Sequence, residues 1–126
     1  MHGGVADFDL LILYHRNWKK RFYEHLRGKH DLDPATVRRD DLCNMGRWIY
    51  GEGLQHQDRL EYLDLKRKHA RFHEMAAEVL ESSLKLPEQE ALKLVEQDSE
   101  FERASRECVA AIARMRDALE EQAPSS

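Results

Sequence analysis

Arg67-Lys68-His69-Ala70-Arg71-Phe72-His73 sits inside a segment, Asp58 to Lys85, that has no glycine or proline and is rich in Leu, Glu, Lys, Arg and Ala. Such a composition favours helix at nearly every position. Residues four apart stack on one helical face, so His69 and His73 present two imidazoles to one point. That point lies on an apolar stripe of Tyr62, Leu65, His69, Phe72 with His73, Ala76, Val79 with Leu80, and Leu84. Imidazoles aimed into a core are costly unless their nitrogens are satisfied. Two arrangements satisfy them: a divalent metal held by both rings, or one histidine bonded to a carbonyl and the other at a wet edge.

Outward from this helix, the 126 residues suit one domain, with the C-terminal part from about 87 to 122 forming a helix of its own. Charged residues make up 35% and hydrophobic ones 41%, a balance that fits a helical bundle with solvated outer faces. Three prolines and six clustered glycines leave long uninterrupted runs, which favours helices over many short strands. A net charge of -4 gives no reason to expect nucleic acid or an anionic membrane as partner. No stretch approaches the ~20 apolar residues of a membrane helix. The N-terminus shows no basic region with a cleavage site, so the expectation is a cytoplasmic protein. In that compartment two cysteines are thiols or metal ligands in preference to a disulfide.

Met1 to Ala6 reads as a loose lead-in. Asp7 is placed to cap a first helix running to about Arg27 and stopped by Gly28. Its inward stripe is Phe8, Leu11 with Ile12, His15, Trp18, Phe22, and His25 with Leu26, which makes His15 a third inward histidine. Lys29 to Thr36 is a connection with a short helical start at Pro34. Asp40 to Tyr50 reads as a brief helix with Leu42, Met45, Trp48 and Ile49 on one side, closed by Gly51-Glu52-Gly53. A long helix from about Leu54 to Lys85 follows, then a last one from Pro87 to about Gln122 with Leu94, Phe101, Cys108, Ile112, Met115 and Leu119 inward. Ala123 to Ser126 reads as a frayed tail. The expected fold is an all-α antiparallel four-helix bundle, three long helices and one short helix carrying Cys43. The heptad-like spacing of the last helix also makes a homodimer plausible.

Cys43 stands out among the remaining candidates. Gly46, one turn on, allows a close backbone approach, and Trp48 supplies apolar cover. If Cys43 points where His15, His69 and His73 point, the four form a His3Cys set of the kind zinc accepts. Four protein ligands leave no open position, so such a site is structural or regulatory. The other reading of Cys43 is a small buried hydrophobe, and Cys108 fits that description well. Ring nitrogens facing away from a metal normally donate to a carboxylate or a backbone carbonyl, and Asp9 and Asp64 are the acidic candidates near the stripes. His25 is placed to cap terminal carbonyls, while His2, His30 and His56 read as solvated.

His15-Arg16-Asn17-Trp18, then Cys43-Asn44-Met45-Gly46-Arg47-Trp48, then His69-Ala70-Arg71-Phe72-His73 resemble the chemoreceptor zinc-binding domain family. Its pattern is a His with a Trp three residues on, a Cys-x-apolar-Gly-x-Trp block and a closing His-x3-His. The resemblance covers roughly 9–84 and is specific as a set. It implies a helical bundle binding Zn2+ through His15, Cys43, His69 and His73, with Trp18, Gly46 and Trp48 in supporting positions. Members of the family usually regulate a chemoreceptor signalling region or a diguanylate cyclase and are often dimeric. No GGDEF-type sequence and no long receptor coiled coil occur in this chain, which leaves a stand-alone member or a domain of a longer protein.

A non-enzymatic zinc or oxidant sensor is therefore the expectation, with the thiolate of Cys43 as the reactive group and the Asp40–Tyr50 segment, tied mainly through Cys43 and Trp48, as the moving part. Two alternatives compete. A hemerythrin-like di-iron bundle needs further inward histidines and bridging carboxylates, and Glu24 and Glu74 lie off the stripes. A metal-free dimeric interaction bundle needs no site at all. Hydrolysis is disfavoured because Ala70, not Glu, follows His69.

Overall fold

The computed structural model describes residues 7–26, 32–96 and 99–122. The lead-in with His2, the helix stop at Arg27 and Gly28, His30 and the tail from Ala123 lie outside the described residues. Every regular element among the described residues is helical. Asp7 caps α1 (Phe8–Arg16) by accepting from the Leu10 N–H at 3.1 Å. α2 (Trp18–Leu26) follows after a turn at Asn17. The backbone ladder runs on through that turn, since Asn17 N donates to Leu13 O and Arg21 N to Asn17 O, each at 3.1 Å. The inward stripe is preserved across the join: Phe8, Leu11, His15, Trp18 and Phe22 are all buried.

α3 (Pro34–Arg38) starts where the sequence places it, with proline in its first turn and Asp33 as N-cap to Thr36. The next helix differs from expectation. α4 spans only Asn44–Ile49, and Cys43 is its N-cap, accepting from the Gly46 N–H at 3.3 Å through sulfur. Cys43 therefore precedes the short helix. Gly46 has the role expected of it: a Cβ there would overlap the carbonyl oxygen of Asp40 and lie 2.9 Å from the Cα of Asp41. The loop of residues 40–43 folds back onto the helix at that point, and the Tyr50 hydroxyl closes it by donating to Asp40 at 2.6 Å.

The long helix, α5, runs Leu60–Ser83 and starts later than Leu54. Residues Glu52–His56 form a 3-10 turn instead. Packing overrides propensity here: Gly53 lies against the Trp48 carbonyl and ring, where a Cβ would come within 2.8 Å of the indole. His56, expected in solvent, stacks on that indole with ring centroids 6.1 Å apart. Leu84, assigned to the inward stripe, caps the helix end and is 73% exposed. The expected last helix is two helices, α6 (Glu88–Lys93) and α7 (Glu100–Gln122). Ser99 caps α7 by accepting from Glu102 N–H at 3.1 Å. Ser99 with Glu102 three positions on is a capping-box pattern, a start signal inside a stretch read as continuous.

α7 packs along α5 and α1, α3 lies on α5, and α6 touches α5 and α2. The core is aromatic at its centre: Phe22 and Phe101 have centroids 4.9 Å apart, and Phe72 meets Phe101 at 5.6 Å. α4 is held by Met45 and Ile49, both fully buried, and by the Tyr62 hydroxyl donating to Ile49 O at 2.6 Å. Those anchors exceed the Cys43 and Trp48 ties expected for this segment. The Gly46→Ala variant forces the 40–43 loop off the helix, and overpacking of this kind destabilises by about 1–3 kcal/mol. Thermal denaturation reads this as a lowered midpoint, and an unchanged one would contradict the close approach.

Candidate metal centre

Four side chains converge where α1, α4 and α5 meet. His15 lies in the last turn of α1, Cys43 precedes α4, and His69 and His73 stand one turn apart in the middle of α5. One donor atom from each lies within 4.8 Å of every other. Cys43 Sγ is 3.1 Å from His69 Nε2 and 3.5 Å from His73 Nε2, and the two Nε2 atoms are 3.1 Å apart. The histidines are 0–2% exposed and Cys43 is half-buried.

The backbone fixes two of the rings. His15 Nδ1 donates to Leu11 O at 3.0 Å, one turn earlier on its own helix, and His73 Nδ1 donates to Val37 O of α3 at 2.8 Å. Each therefore turns a bare Nε2 toward the cluster. Asp9 and Asp64, the acidic candidates for this role, do not take it. Asp64 pairs with Arg114 at 2.7 Å and with Lys68, and Asp9 pairs with Arg116 at 2.7 Å. Both engage the charges of α7 on the outer surface. The carbonyl of Val37 was hidden from sequence reasoning because nothing in the pattern says that α3 folds onto α5. His25 Nδ1 accepts from the Leu32 N–H at 3.1 Å.

Burial dominates the electrostatics. It lowers His15 to about 4, opposed by the bond to Leu11 and assisted by His73. It holds His69 well below its ordinary value, helped by His73 and His15 beside it. His73 is also lowered by burial, against the raising effects of Val37 and Asp40. The Cys43 thiol is pushed up by burial, against the N–H of Gly46. The rings are thus kept neutral at pH 7, the form in which imidazole is a ligand, and a dication beside the thiol would reverse its shift.

This donor set fits a tetrahedral metal. Imidazole and thiolate bonds of ~2.0–2.3 Å imply ligand separations of about 3.3–3.8 Å, close to the 3.1–3.5 Å found. His15 Nε2 is buried without a hydrogen-bond partner among the described residues, an orphan that a metal would satisfy. Among the described residues no carboxylate belongs to the cluster. Beside it a cleft of about 550 Å³ opens between α1–α2 and α4, with His15 and Cys43 in its wall and Trp18, Arg21, Leu42 and Arg47 around it. Cys108 is fully buried in the core and takes no part in the cluster.

Fold and site together define a helical bundle with a closed His3Cys cluster. The family model described as chemoreceptor zinc-binding domain matches residues 15–80, just over half of the chain, and takes in all four cluster residues. The chain belongs to the chemoreceptor zinc-binding domain family. Neither the curated proteins nor the solved structures gave a match.

One consequence is a pH dependence of the metal-stripped protein. In the unfolded chain the three histidines titrate near 6.5, whereas in the fold they resist protonation. The unfolded state then binds more protons below pH 6.5, so stability present above that value is lost as pH falls toward 4. Denaturant midpoints of chelator-treated protein at pH 7.5, 6 and 5 should fall in that order, and His15→Ala should flatten the slope.

Proposed function

We propose that this domain is a cytoplasmic zinc-binding regulatory module in which His15, Cys43, His69 and His73 hold one zinc ion. The single observation carrying the proposal is the convergence of one donor atom from each residue within 4.8 Å in a buried, carboxylate-free site. The architecture proposed around it is an antiparallel four-helix arrangement with α1–α2, α5 and α7 as long members. Output is conformational and non-enzymatic, passed to a second copy in a homodimer or to a signalling partner of the chemoreceptor or diguanylate cyclase type. A closed four-ligand site offers no substrate position, which favours regulation over hydrolysis.

Zinc, when bound, keeps Cys43 as a thiolate and ties the α1, α4 and α5 segments together. The chain's own residues decide what can reach that thiolate. Cys43 faces the open cleft, whereas burial holds the thiol of Cys108 above its ordinary pKa. An oxidant entering the cleft meets Cys43 first. Its sulfur attacks a peroxide oxygen and expels hydroxide, or attacks the chlorine of hypochlorous acid and expels hydroxide, after which water displaces chloride; both routes end in an S–O bond. The sulfenate is a poorer ligand and a poorer cap, so the loosening centres on residues 40–44. Met45, Ile49 and the Tyr62 bond keep the rest of α4 in place.

Metal analysis tests the ligand set: one zinc per chain in the wild type, and reduced occupancy in Cys43→Ala and His73→Ala. Full occupancy in both variants would sink it. A melt with a strong chelator should show a lower midpoint with helicity retained, because the aromatic core does not depend on the metal. Hypochlorite titration should release zinc and speed hydrogen exchange at residues 40–44. Oxidation of Cys108 ahead of Cys43 would remove the redox half of the proposal. Two irons per chain would support the di-iron alternative, which the thiol and the lack of a carboxylate in the cluster disfavour.

A further inference from the structure

The donors of the cluster are not anchored alike. His15 and His73 each commit the Nδ1 proton to a backbone carbonyl, and Cys43 Sγ accepts from the Gly46 N–H. His69 has no such anchor. Its Nδ1 is buried and has no hydrogen-bond partner among the described residues, although the residue is 0% exposed.

A neutral imidazole carries one proton, and its position decides whether Nε2 is a donor or a lone pair. His69 Nε2 lies 3.1 Å from both Cys43 Sγ and His73 Nε2. His73 has already committed its proton to Val37, so it meets His69 with a lone pair. Two facing lone pairs at that distance repel, and of the two rings only His69 has an uncommitted proton to place between them. On Nε2 that proton has partners, and on Nδ1 it has none. Ligation through Nε2 requires the second arrangement and leaves a buried donor unpaired. For His15 and His73 the ligating form is the resting form, and nothing has to move.

We propose that His69 is the one imidazole of the cluster whose proton must change nitrogen for zinc to bind, which makes it the weakest histidine ligand and the first to let go. The inference rests on the zinc reading above and adds to it a built-in order of release. A buried unpaired donor lowers the affinity contributed by that ring about tenfold or more. The loss of this ring therefore weakens zinc binding less than the loss of either anchored ring.

Nitrogen-15 NMR of histidine-labelled wild-type protein at pH 7.5, with and without zinc, tests the proton directly. The expected result is an Nδ1–H form for His15 and His73 in both samples, and a change from Nε2–H to Nδ1–H for His69 alone. An Nδ1–H form of His69 without zinc, or a change at all three rings, would overturn the inference while leaving the zinc reading intact. Ring signals that ignore added zinc would overturn both. Competition with a chromophoric chelator gives the affinities. His69→Ala should weaken zinc binding about tenfold less than His15→Ala or His73→Ala, and equal losses would refute the order. Circular dichroism verifies that each variant folds, and where one does not, the wild-type spectra alone decide.

Discussion

Burying three imidazoles beside a half-buried thiol removes their ring nitrogens from water, and the neighbouring elements are arranged by how those groups are compensated. The carbonyl of Val37 is the clearest case. α3 is five residues long and would be marginal alone, yet it is pinned on α5 by the bond from His73 and by the burial of Val37. The last turn of α1 serves His15 in the same way, with a carbonyl of its own helix accepting the proton. The centre thus has an organised surround supplied almost wholly by backbone, which changes little with sequence and leaves the acidic side chains free for the surface.

Close packing does the remaining work around Cys43. Gly46 lets the 40–43 loop touch the helix that Cys43 caps, and Gly53 lets the following turn lie flat on Trp48. Trp48 in turn meets Phe8 of α1 edge-on at 5.0 Å, joining the short helix to the first long one. Sulfur position is therefore set from both sides, by a capped helix start and by an aromatic wedge one turn later. The ion pairs of Asp9 and Asp64 with α7 each have one well-exposed partner, Asp9 in the first and Arg114 in the second, and add little to stability.

Much of this was legible in the sequence, and the reasons differ by residue. The pair at positions 69 and 73 and the stripe beneath it follow from helical period alone, so the two imidazoles lie where the spacing puts them. His15 is legible for the same reason, since it shares a stripe with Phe8, Leu11, Trp18 and Phe22. Cys43 could be chosen only by its neighbours Gly46 and Trp48, and its role as a cap was missed because cysteine is not an ordinary capping residue. Element ends were the weakest part. Glu52–His56 has helix-compatible residues but is captured by the Trp48 ring, and the break before α7 was announced by Ser99 and Glu102, a signal passed over in a run without glycine or proline. A backbone carbonyl was among the expected partners of Nδ1, but which carbonyl was illegible, because a carbonyl has no sequence signature.

The chain order of the cluster residues has a consequence for how cooperatively the molecule opens. All four lie between positions 15 and 73, and α7 supplies none of them. A cross-link at the cluster shortens the loops available to the N-terminal part in its denatured ensemble and leaves the C-terminal helix unconstrained. α7 remains attached through Phe101, Ala104, Ala111, Ile112 and Met115, apolar contacts that are indifferent to the metal's presence. A metal at the cluster would thereby divide the domain into a stapled unit and a helix held by hydrophobic burial. The second can undock at a free energy of its own, as a separate unit of opening against the first.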